Sequence, residues 1–517
     1  MYTPHSARIE RTPPAVVPRS GPKSASSTGT ASVSAELARK WLQLDELDGM
    51  RIRTPSVEWA ANDPENPVFF SKWKKWAITL TGCYLTIIVT AASSSYATGF
   101  TSMVADLQSN FYLAGVGISV YALGFGVVPI FAAPISEEIG RRPLFIGAAT
   151  VLVIAHIMIG AARNMATVLV GRFLVGSAGS MAAMVGGSIA DIWQVHERGI
   201  PLALFSFSAI GGTGIGPVAS GWIEMDSRFQ WRWIQWFHLI AAGLCLLFII
   251  AFMTETRSSV LLTRRARSLR KDTSDSRYKS KAEIDMPNLK TLLYISITRT
   301  PHILFTEPIV LSISGWIGLA WGILFGIIES IAPAFKSAHG FTIGQAGTVY
   351  LALVIGALLG VVSCFHQEHL YQGGVKKRGP EARLYWPMVA GLIFPAGMLI
   401  YAWTTFPKVP WIAMTTGLTL FMWATFQIFN ASYAYIADCY GSYASSAIAG
   451  LNLFRNLVAT AFPLFTTQYF EALGYNWGNT ILGIVALVLA PIPFVLFIYG
   501  PRIRAASPVS KRLTRAK

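Results

Sequence analysis

A short basic turn separates two long apolar segments early in the chain. The turn reads Gly140-Arg141-Arg142-Pro143, and the apolar segments cover residues 111–135 and 144–162. Each segment is long enough to cross the roughly 30 Å hydrocarbon core of a bilayer as a helix. Two helices joined by so few residues must run antiparallel, and the two arginines predict that the turn faces the cytoplasm.

Apolar runs of this kind recur along the chain. Of its 517 residues, 53% are hydrophobic and only 13% are charged, which is typical of an integral membrane protein. The sequence predicts an all-α membrane protein of twelve transmembrane helices in two six-helix bundles, residues 76–253 and 302–500. The predicted spans lie near 76–98, 112–134, 144–162, 167–190, 200–222, 233–253, 308–331, 342–364, 385–404, 410–434, 445–467 and 478–499.

The distribution of basic residues predicts which side of the membrane each turn faces. An even number of spans places both termini on one side, together with the turn at Gly140 and the polar interval 254–301. Most of the 42 Lys and Arg residues fall in these segments, as expected for cytoplasmic segments. Both termini are therefore predicted to be cytoplasmic. The net charge of +16 indicates topology and contact with anionic lipid rather than nucleic-acid binding. The segments of the other face carry Arg163, Arg228, Arg232, Lys336 and Lys408.

Three polar segments lie outside the predicted spans. Residues 1–75 are predicted to form a disordered cytoplasmic tail, because their first part is rich in Ser, Thr, Pro and Ala without apolar periodicity. Within this tail, residues 36–49 fit either an amphipathic helix on the membrane or a solvated linker. The same alternatives apply to the central cytoplasmic loop, 254–301. Residues 501–517 are predicted to form a basic cytoplasmic tail.

The sequence lacks the common motifs of enzymes and metal sites. It contains no G-x-x-x-x-G-K-[ST] phosphate loop, no H-E-x-x-H and no C-x-x-C. Of its eight histidines, only His156 and His238 fall deep within predicted spans, and each is expected to stand alone. The sequence therefore predicts neither an enzyme nor a metal or cofactor site, which leaves transport as the expected activity.

The basic turn resembles a loop signature of the major facilitator superfamily. Residues 133–143 read A-P-I-S-E-E-I-G-R-R-P, and the superfamily pattern is G-x-x-x-D-[RK]-x-G-[RK]-[RK]. Glu137 replaces the aspartate, Gly140-Arg141-Arg142 matches, and the first and sixth positions of the pattern differ. The form P-x-S-E-x-x-G-R-R-P is similar to that of fungal drug:proton antiporters. The resemblance implies a gating role for Glu137, Gly140, Arg141 and Arg142.

Arg172 lies within the fourth predicted span. Its surroundings, V-G-R-F-L-V-G at 170–176, are similar to the R-[FL]-x-x-G element of the superfamily. An arginine in hydrocarbon costs about 2.5–3.5 kcal/mol even on lenient insertion scales, so this side chain is expected to face the protein interior or water. In the family this arginine is tied to proton coupling, and the resemblance implies the same role for Arg172.

A series of small residues marks the fifth predicted span. Residues 211–221 read G-G-T-G-I-G-P-V-A-S-G, which resembles the antiporter motif G-x-x-x-G-P-x-x-G-G with Ser220 in place of one glycine. Small residues let a neighbouring helix approach closely, and ordinary helix packing is the alternative explanation. In the family the motif distinguishes exporters from sugar importers. The resemblance implies export, with Gly216, Pro217 and Gly221 among the gating residues.

Further matches extend the resemblance over most of the membrane part. They are D-P-E-N-P at 63–67, T-E-T-R at 254–257, E-P-I-V at 307–310, Y-I-A-D at 435–438 and the stretch 455–465. All are similar to segments of fungal twelve-span exporters. The resemblance implies a proton-driven, alternating-access exporter of drugs, polyamines or a self-produced toxin or other secondary metabolite, conferring resistance. A proton-coupled uptake symporter for a small nutrient is the alternative.

Aromatic and small polar side chains within the spans are the candidates for substrate binding. Substrates of this superfamily bind near the midplane between the two halves, and such side chains suit an amphipathic molecule. Glu329, near the outer end of the seventh span, is the carboxylate expected to meet a cationic substrate or a proton, with a solvated helix end as the alternative. The other candidates are Ser94, Ser95, Tyr96, Trp316, Trp321, Asn430 and Tyr433.

The expected partners are a small-molecule substrate and membrane lipid, without nucleic acid, and the protein is expected to be a monomer. No cofactor is expected beyond the proton gradient. The expected location is the plasma membrane as a multi-pass protein, with the vacuolar membrane as the less favoured alternative.

Overall fold

A computed structural model describes residues 56–59, 63–194, 196–274, 276, 278–285 and 288–507. These residues form helices almost throughout, which confirms the predicted all-helical class. Two strands of two residues each, β1 (Ser56–Val57) and β2 (Lys279–Ser280), are the exception within this part of the chain. The amphipathic helix predicted at 36–49, most of the predicted N-terminal tail and the last ten residues lie outside the described residues.

The first half of the protein comprises residues 72–252. Its helices in chain order are α1 (Lys72–Thr98), α2 (Phe100–Asp106), α3 (Phe111–Ile139), α4 (Arg141–Gly160), α5 (Met165–Gly179), α6 (Val185–Ile192), α7 (Gly199–Met225) and α8 (Gln230–Phe252). A 3₁₀ turn at Ser180–Met184 joins α5 to α6. Asparagine side chains begin two of these helices, because Asn110 accepts the backbone N–H of Leu113 and Asn164 that of Thr167.

Three helices lie between the halves: α9 (Ser258–Thr273), α10 (Lys281–Asp285) and α11 (Leu289–Thr306). The second half comprises residues 308–506. Its helices are α12 (Pro308–His339), α13 (Ile343–Val349), α14 (Leu351–Arg378), α15 (Tyr385–Trp403), α16 (Trp411–Tyr440), α17 (Ala444–Ala461), α18 (Pro463–Leu489) and α19 (Ile492–Ala506). A 3₁₀ turn at Gly379–Leu384 joins α14 to α15.

Within the described residues, ten helical segments are long and apolar enough to cross a membrane. Two of them, Ile343–Trp403 and Pro463–Ala506, are long enough to contain more than one predicted span. Most of the predicted eleventh span lies in α17, which is not among the ten. The polar residues of α17, including Asn452 and Arg455, lower its hydropathy. The count of twelve spans stays a prediction.

Several helix ends differ from the predicted spans. The mean hydropathy of a segment averages over a single glycine or proline, so it does not show where such a residue ends a helix. Helix α12 continues eight residues beyond the predicted end at 331 and stops at Gly340, whose φ of +65° ends the helix. The predicted span 445–467 is divided at Pro463, which cannot donate the backbone hydrogen bond that continues α17. Gly474, with φ +72°, interrupts α18 before the predicted last span.

Two seams join the halves. In one, α7 packs along α13 and α14; in the other, α3 packs along α17. Within the first half, α7 also packs along α1 and α3 along α5. We call the end of the helices beside the turn at Gly140 the basic end and the end beside Asn110 and Gly340 the distal end. Both seams run between these ends and enclose the site described next.

Candidate functional site

A cavity of about 490 Å³ lies between the two halves. The first half contributes residues of α1, α3, α6 and α7, and the second half contributes residues of α12, α16 and α17. Its wall is largely apolar, and its volume falls in the usual range for a small-molecule site. The polar lining residues are Thr86, Thr90, Ser93, Ser206, Thr213, Asn430, Asn452, Arg455 and Asn456, together with Tyr121 and Tyr433.

Arg455 of α17 is the charged residue among those that line the cavity. Only 4% of its surface is exposed. Its guanidinium carbon lies 4.3 Å from the centre of the Trp321 ring and 5.5 Å from that of Phe429, within the range of a cation–π contact. No described carboxylate forms an ion pair with it, and its Nε has no hydrogen-bond partner.

The rings beside Arg455 form a continuous aromatic wall. The rings of Trp321 and Phe429 are stacked with centroids 5.4 Å apart, and the centroids of Phe429 and Tyr433 are 4.7 Å apart. The hydroxyl of Tyr433 donates a hydrogen bond to the side-chain oxygen of Asn452. Helix α16 presents Phe429 and Tyr433 on one face because they are four residues apart. Ring faces and one guanidinium are thus available to a bound molecule.

Arg172 of α5 is also buried, but backbone carbonyl oxygens surround its guanidinium. Its Nε donates to Gly117 at 3.2 Å, its Nη1 to Ala92 at 2.9 Å and its Nη2 to Ser93 at 3.5 Å. Its guanidinium carbon also lies 4.2 Å from the centre of the Tyr96 ring. As the sequence predicts, this arginine faces the protein interior, where it ties α5 to α1 and α3.

The basic turn is organised by a carboxylate from the segment that follows α8. Glu255 accepts the backbone N–H groups of Arg141 and Arg142 at 3.0 and 3.2 Å, and also those of Thr256 and Arg257 at 3.1 and 3.0 Å. Gly140 has φ +101°, and a Cβ there would lie 2.2 Å from the nearer Glu255 oxygen. Only glycine fits both the backbone conformation and the close approach.

The side chains of the turn reach neighbouring helices. Arg141 Nη2 lies 3.0 Å from Asp191 of α6, and its Nη1 donates to Ser188 at 3.0 Å. Glu137 pairs with Arg257 at 3.1 Å. Arg142 is more exposed and donates to the carbonyl of Ile250 at 3.4 Å. The turn therefore joins α3, α4, α6 and the segment after α8 at the basic end.

The glycine series of α7 packs against two different helices. A Cβ at Gly216 would lie 2.4 Å from the carbonyl oxygen of Ala91 in α1. A Cβ at Gly221 would lie 2.9 Å from the carbonyl oxygen of Ile343, and one at Gly347 would lie 2.5 Å from the carbonyl oxygen of Pro217. The backbones of α7 and α13 are thus in direct contact near the distal end, across the seam between the halves.

Glu329 lies one helical turn beyond Phe325, a residue of the cavity wall. Both carboxyl oxygens are inaccessible to solvent and have no hydrogen-bond partner. Gly115 of α3 approaches it closely, since a Cβ there would lie 3.8 Å from the Glu329 Oε2. The alternative of a solvated helix end is wrong, because the carboxyl group is enclosed by protein.

The predicted substrate residues divide into two groups. Trp321, Asn430 and Tyr433 line the cavity. The remaining ones do not: Tyr96 lies against Arg172 and Trp316 is buried in the second half. Ser94 and Ser95 are also buried in α1, where Ser94 donates to the carbonyl of Ala91 and Ser95 lies against Gly216.

Some residues of the site were not singled out from the sequence. The eleventh predicted span contains Asn452, Arg455 and Asn456, of which the last two belong to the matched stretch 455–465. Three polar residues within five positions of an apolar run could have indicated a binding site there. The expectation that His156 and His238 stand alone is wrong, because their rings are stacked with centroids 5.5 Å apart. The periodicity within each helix cannot show a contact between α4 and α8.

Residues 82–433 match the family model of the Major Facilitator Superfamily. The chain belongs to this superfamily. Among curated members, the ascochitine biosynthesis cluster MFS transporter of Didymella fabae is 32% identical over 90% of this chain and 91% of its own length. The citrinin biosynthesis cluster MFS transporter of Monascus ruber is 34% identical over 88% of this chain and 92% of its own length. The efflux pump FUBT of Fusarium oxysporum is 32% identical over 87% of this chain and 76% of its own length.

Solved structures of superfamily members have the same fold. The xylose transporter XylE of E. coli, in a partially occluded inward-open conformation, aligns with a TM-score of 0.56 and 14% identity, covering 82% of this chain and 99% of XylE. The human organic anion transporter MFSD10 aligns with a TM-score of 0.56 and 14% identity, covering 81% of this chain and 99% of its own. At this identity, the likeness concerns the superfamily fold alone.

Proposed function

We propose that this protein is a proton-coupled secondary active exporter that moves a small organic molecule by alternating access. The observation that carries the proposal is the direct backbone contact of α7 with α13 beyond a cavity that both halves line. A carrier needs such a closure at one end of its binding cavity. The names of its relatives, which include efflux pumps and biosynthesis-cluster transporters, support export of a fungal secondary metabolite.

The position of the cavity supports loading from the cytoplasm. Its lining residues Gly187 and Ala437 lie towards the basic end, where Gly187 is close to Arg141. The sequence predicts that this end faces the cytoplasm, since it carries most of the basic residues. A closed distal end and a cavity extending towards the basic end are the arrangement in which an exporter takes up its substrate. Export then requires the α7–α13 contact to open.

Glu329 is the group that we propose to carry the coupled proton. A carboxylate without a partner is costly to bury, so a neutral carboxyl fits the closed distal end. The titratable groups that face it are Tyr96 of α1 and Tyr350 between α13 and α14, and no described basic side chain pairs with it. Opening of the distal end admits water, in which the carboxyl can ionise. One opening and closing cycle would then exchange one proton.

The proposal also includes the membrane arrangement. Twelve spans form two six-helix bundles, 76–253 and 302–500, with both termini and the loop 254–301 in the cytoplasm. The protein acts as a monomer in the plasma membrane and confers resistance to its substrate. Arg172, which α1 and α3 hold through their carbonyl groups, keeps the proton-coupling role that the family resemblance implies.

Transport into proteoliposomes tests the direction and the driving force. Radiolabelled citrinin, chosen because a relative is named for its biosynthesis cluster, is added outside vesicles that contain the purified protein, and its uptake into the lumen is followed with and without an imposed pH gradient, acidic inside. Proton-driven export predicts that substrate moves against the proton flux and accumulates several-fold above equilibrium. Movement in the same direction as protons would instead identify an uptake symporter, and no response to the gradient would refute coupling.

Glu329→Gln tests the proton site in the same vesicles. The glutamine keeps the size of the side chain but cannot release a proton. We expect accumulation driven by the pH gradient to fall to the level of protein-free vesicles, while exchange of labelled for unlabelled substrate stays within about twofold of wild type. Glu471→Gln, at an exposed glutamate of α18, is the matched control and should behave as wild type. Unchanged gradient-driven accumulation in Glu329→Gln would remove this residue from the mechanism.

A further inference from the structure

We propose that Arg455 is an anion-binding group of the cavity and that the transported molecule carries a single negative charge, such as a carboxylate, on an aromatic ring system. The inference deepens the proposed export function, and it rests on that function because only a transporter would move the bound molecule as its substrate. It concerns the charge and shape of the molecule that the cavity accepts. It does not depend on the direction of transport or on proton coupling.

The contrast between the two buried arginines is the first step. The three guanidinium nitrogens of Arg172 each donate to a backbone carbonyl oxygen, so this charge is compensated by the protein itself. The guanidinium of Arg455 lies on the cavity wall, where its Nε has no hydrogen-bond partner and its described hydrogen-bonding neighbour is the uncharged hydroxyl of Tyr433. A buried guanidinium that lacks a counter-charge is costly, and an anionic ligand would remove that cost.

The geometry around Arg455 is the second step. The guanidinium carbon of Arg455 lies over the rings of Trp321 and Phe429, and neither ring offers the oxygen acceptors that the guanidinium N–H groups bind most strongly. Two parallel N–H groups match the two oxygens of a carboxylate. The aromatic wall of Trp321, Phe429 and Tyr433 continues from this point and offers stacking surface to a ring attached to the carboxylate.

The composition of the cavity wall is the third step. Among its described residues, none is Asp, Glu, Lys or His, so Arg455 sets the sign of the charge. Glu329 is separated from the cavity in this conformation, because both its oxygens are enclosed by protein. A polyamine would meet an arginine and no carboxylate. Polyamines and cationic drugs, which the sequence suggested as cargo, are therefore disfavoured by the charge of the cavity.

Binding of three probes to the full-length protein in detergent at neutral pH tests this inference. The probes are 2-naphthoate, 2-naphthamide and 2-naphthylmethylammonium, which share the ring system and differ in charge. We expect 2-naphthoate to bind about tenfold or more tightly than the amide, with the cation weakest, as measured by isothermal titration calorimetry. Equal affinity for the three probes, tighter binding of the cation, or no binding of 2-naphthoate would overturn the inference.

Substitutions at Arg455 assign the preference to this residue. Arg455→Gln should bind naphthoate and naphthamide within about twofold of each other, while Arg455→Lys should keep part of the preference through its charge. Arg163→Gln, at an exposed arginine, is the matched control and should retain the full preference. A carboxylate preference that survives Arg455→Gln would place the anion elsewhere and refute the assignment. If Arg455→Gln does not fold, the comparison of probes on the wild-type protein still decides the charge preference.

The binding experiment and the transport experiment can fail separately. A preference for naphthoate without proton-driven transport would contradict the proposed function and leave the anion site intact. Proton-driven transport by a protein that binds the amide as tightly as the acid would support the exporter and overturn the anion site.

Discussion

Glu255 supplies the test of the basic turn that the structure defines best. Its carboxylate accepts four backbone N–H groups, two from the turn and two from its own segment. Glu255→Ala removes both acceptor oxygens of these four hydrogen bonds and leaves the buried amides of Arg141 and Thr256 without a partner. The amides of Arg142 and Arg257 are less buried and can bond to water.

The expected magnitude follows from these two buried amides. Leaving one buried donor without a partner costs about 1–3 kcal/mol, so Glu255→Ala should lower the free energy of unfolding by about 2–6 kcal/mol. Glu255→Gln keeps one acceptor oxygen but loses the charge. Since charge-assisted hydrogen bonds are roughly twice as strong as neutral ones, about half of that loss is expected. The order of stability should therefore be wild type, glutamine, alanine.

The assay is the fraction of monodisperse protein left after heating in detergent, measured by size-exclusion chromatography. Glu138→Ala, one residue after Glu137 and exposed, is the matched control and should melt with the wild type. The reasoning is refuted if Glu255→Ala and Glu138→Ala have the same midpoint temperature, because the four hydrogen bonds would then contribute nothing to stability.

Two further predictions concern the seam between the halves and the central segment. Gly347→Val places a side chain where Cβ would lie 2.5 Å from the carbonyl oxygen of Pro217. We therefore expect about tenfold or greater loss of transport and increased labelling of cysteines introduced at the distal end. Gly373→Val, at a glycine whose Cβ would have nothing within 4 Å, should change neither transport nor labelling. Hydrogen bonds from Arg270 lower the pKa of Glu283 from 4.5 to about 2. Their contribution, below about 1 kcal/mol for so exposed a pair, is present above pH 4.5 and lost as the pH falls towards 2. The rate of pepsin cleavage of the segment in the wild type, divided by the rate in Glu283→Gln so that the pH dependence of pepsin itself cancels, should therefore lie below one at pH 4.5 and rise towards one as the pH falls to 2; a ratio that does not change with pH would contradict the prediction.

The sequence predicted those features that depend on local composition. Apolar runs identified most of the helices, and the cost of an arginine in hydrocarbon predicted that Arg172 faces the interior. The turn at residues 140–143 was recognised as a charged break between two apolar segments, and the structure adds that a carboxylate approaches Gly140 closely. The interruptions at Pro463 and Gly474 were missed because hydropathy averages over them.

The site could be predicted only in part, because partners come from distant positions in the chain. Arg172 and Arg455 look alike in the sequence, since each is one arginine in an apolar run. Carbonyl groups of α1 and α3 surround the first, and aromatic rings of α12 and α16 flank the second. Glu255 was noted only as part of the T-E-T-R match at 254–257. Nothing near it in the sequence indicates that its carboxylate binds the backbone of a turn 114 residues earlier. Such contacts follow from helix packing, which periodicity does not encode.

The hydrogen bonds of Arg172 bear on how the protein is made. All three acceptors, Ala92, Ser93 and Gly117, precede Arg172 in the chain. Because a chain is synthesised from its N-terminus, α1 and α3 leave the ribosome before α5 does. The carbonyl groups that accept hydrogen bonds from this guanidinium can thus already be in the bilayer when α5 is inserted. The charge of Arg172 is then compensated without any helix that is synthesised later. Moving α5 ahead of α3 by circular permutation would remove that advantage and should lower the yield of inserted protein.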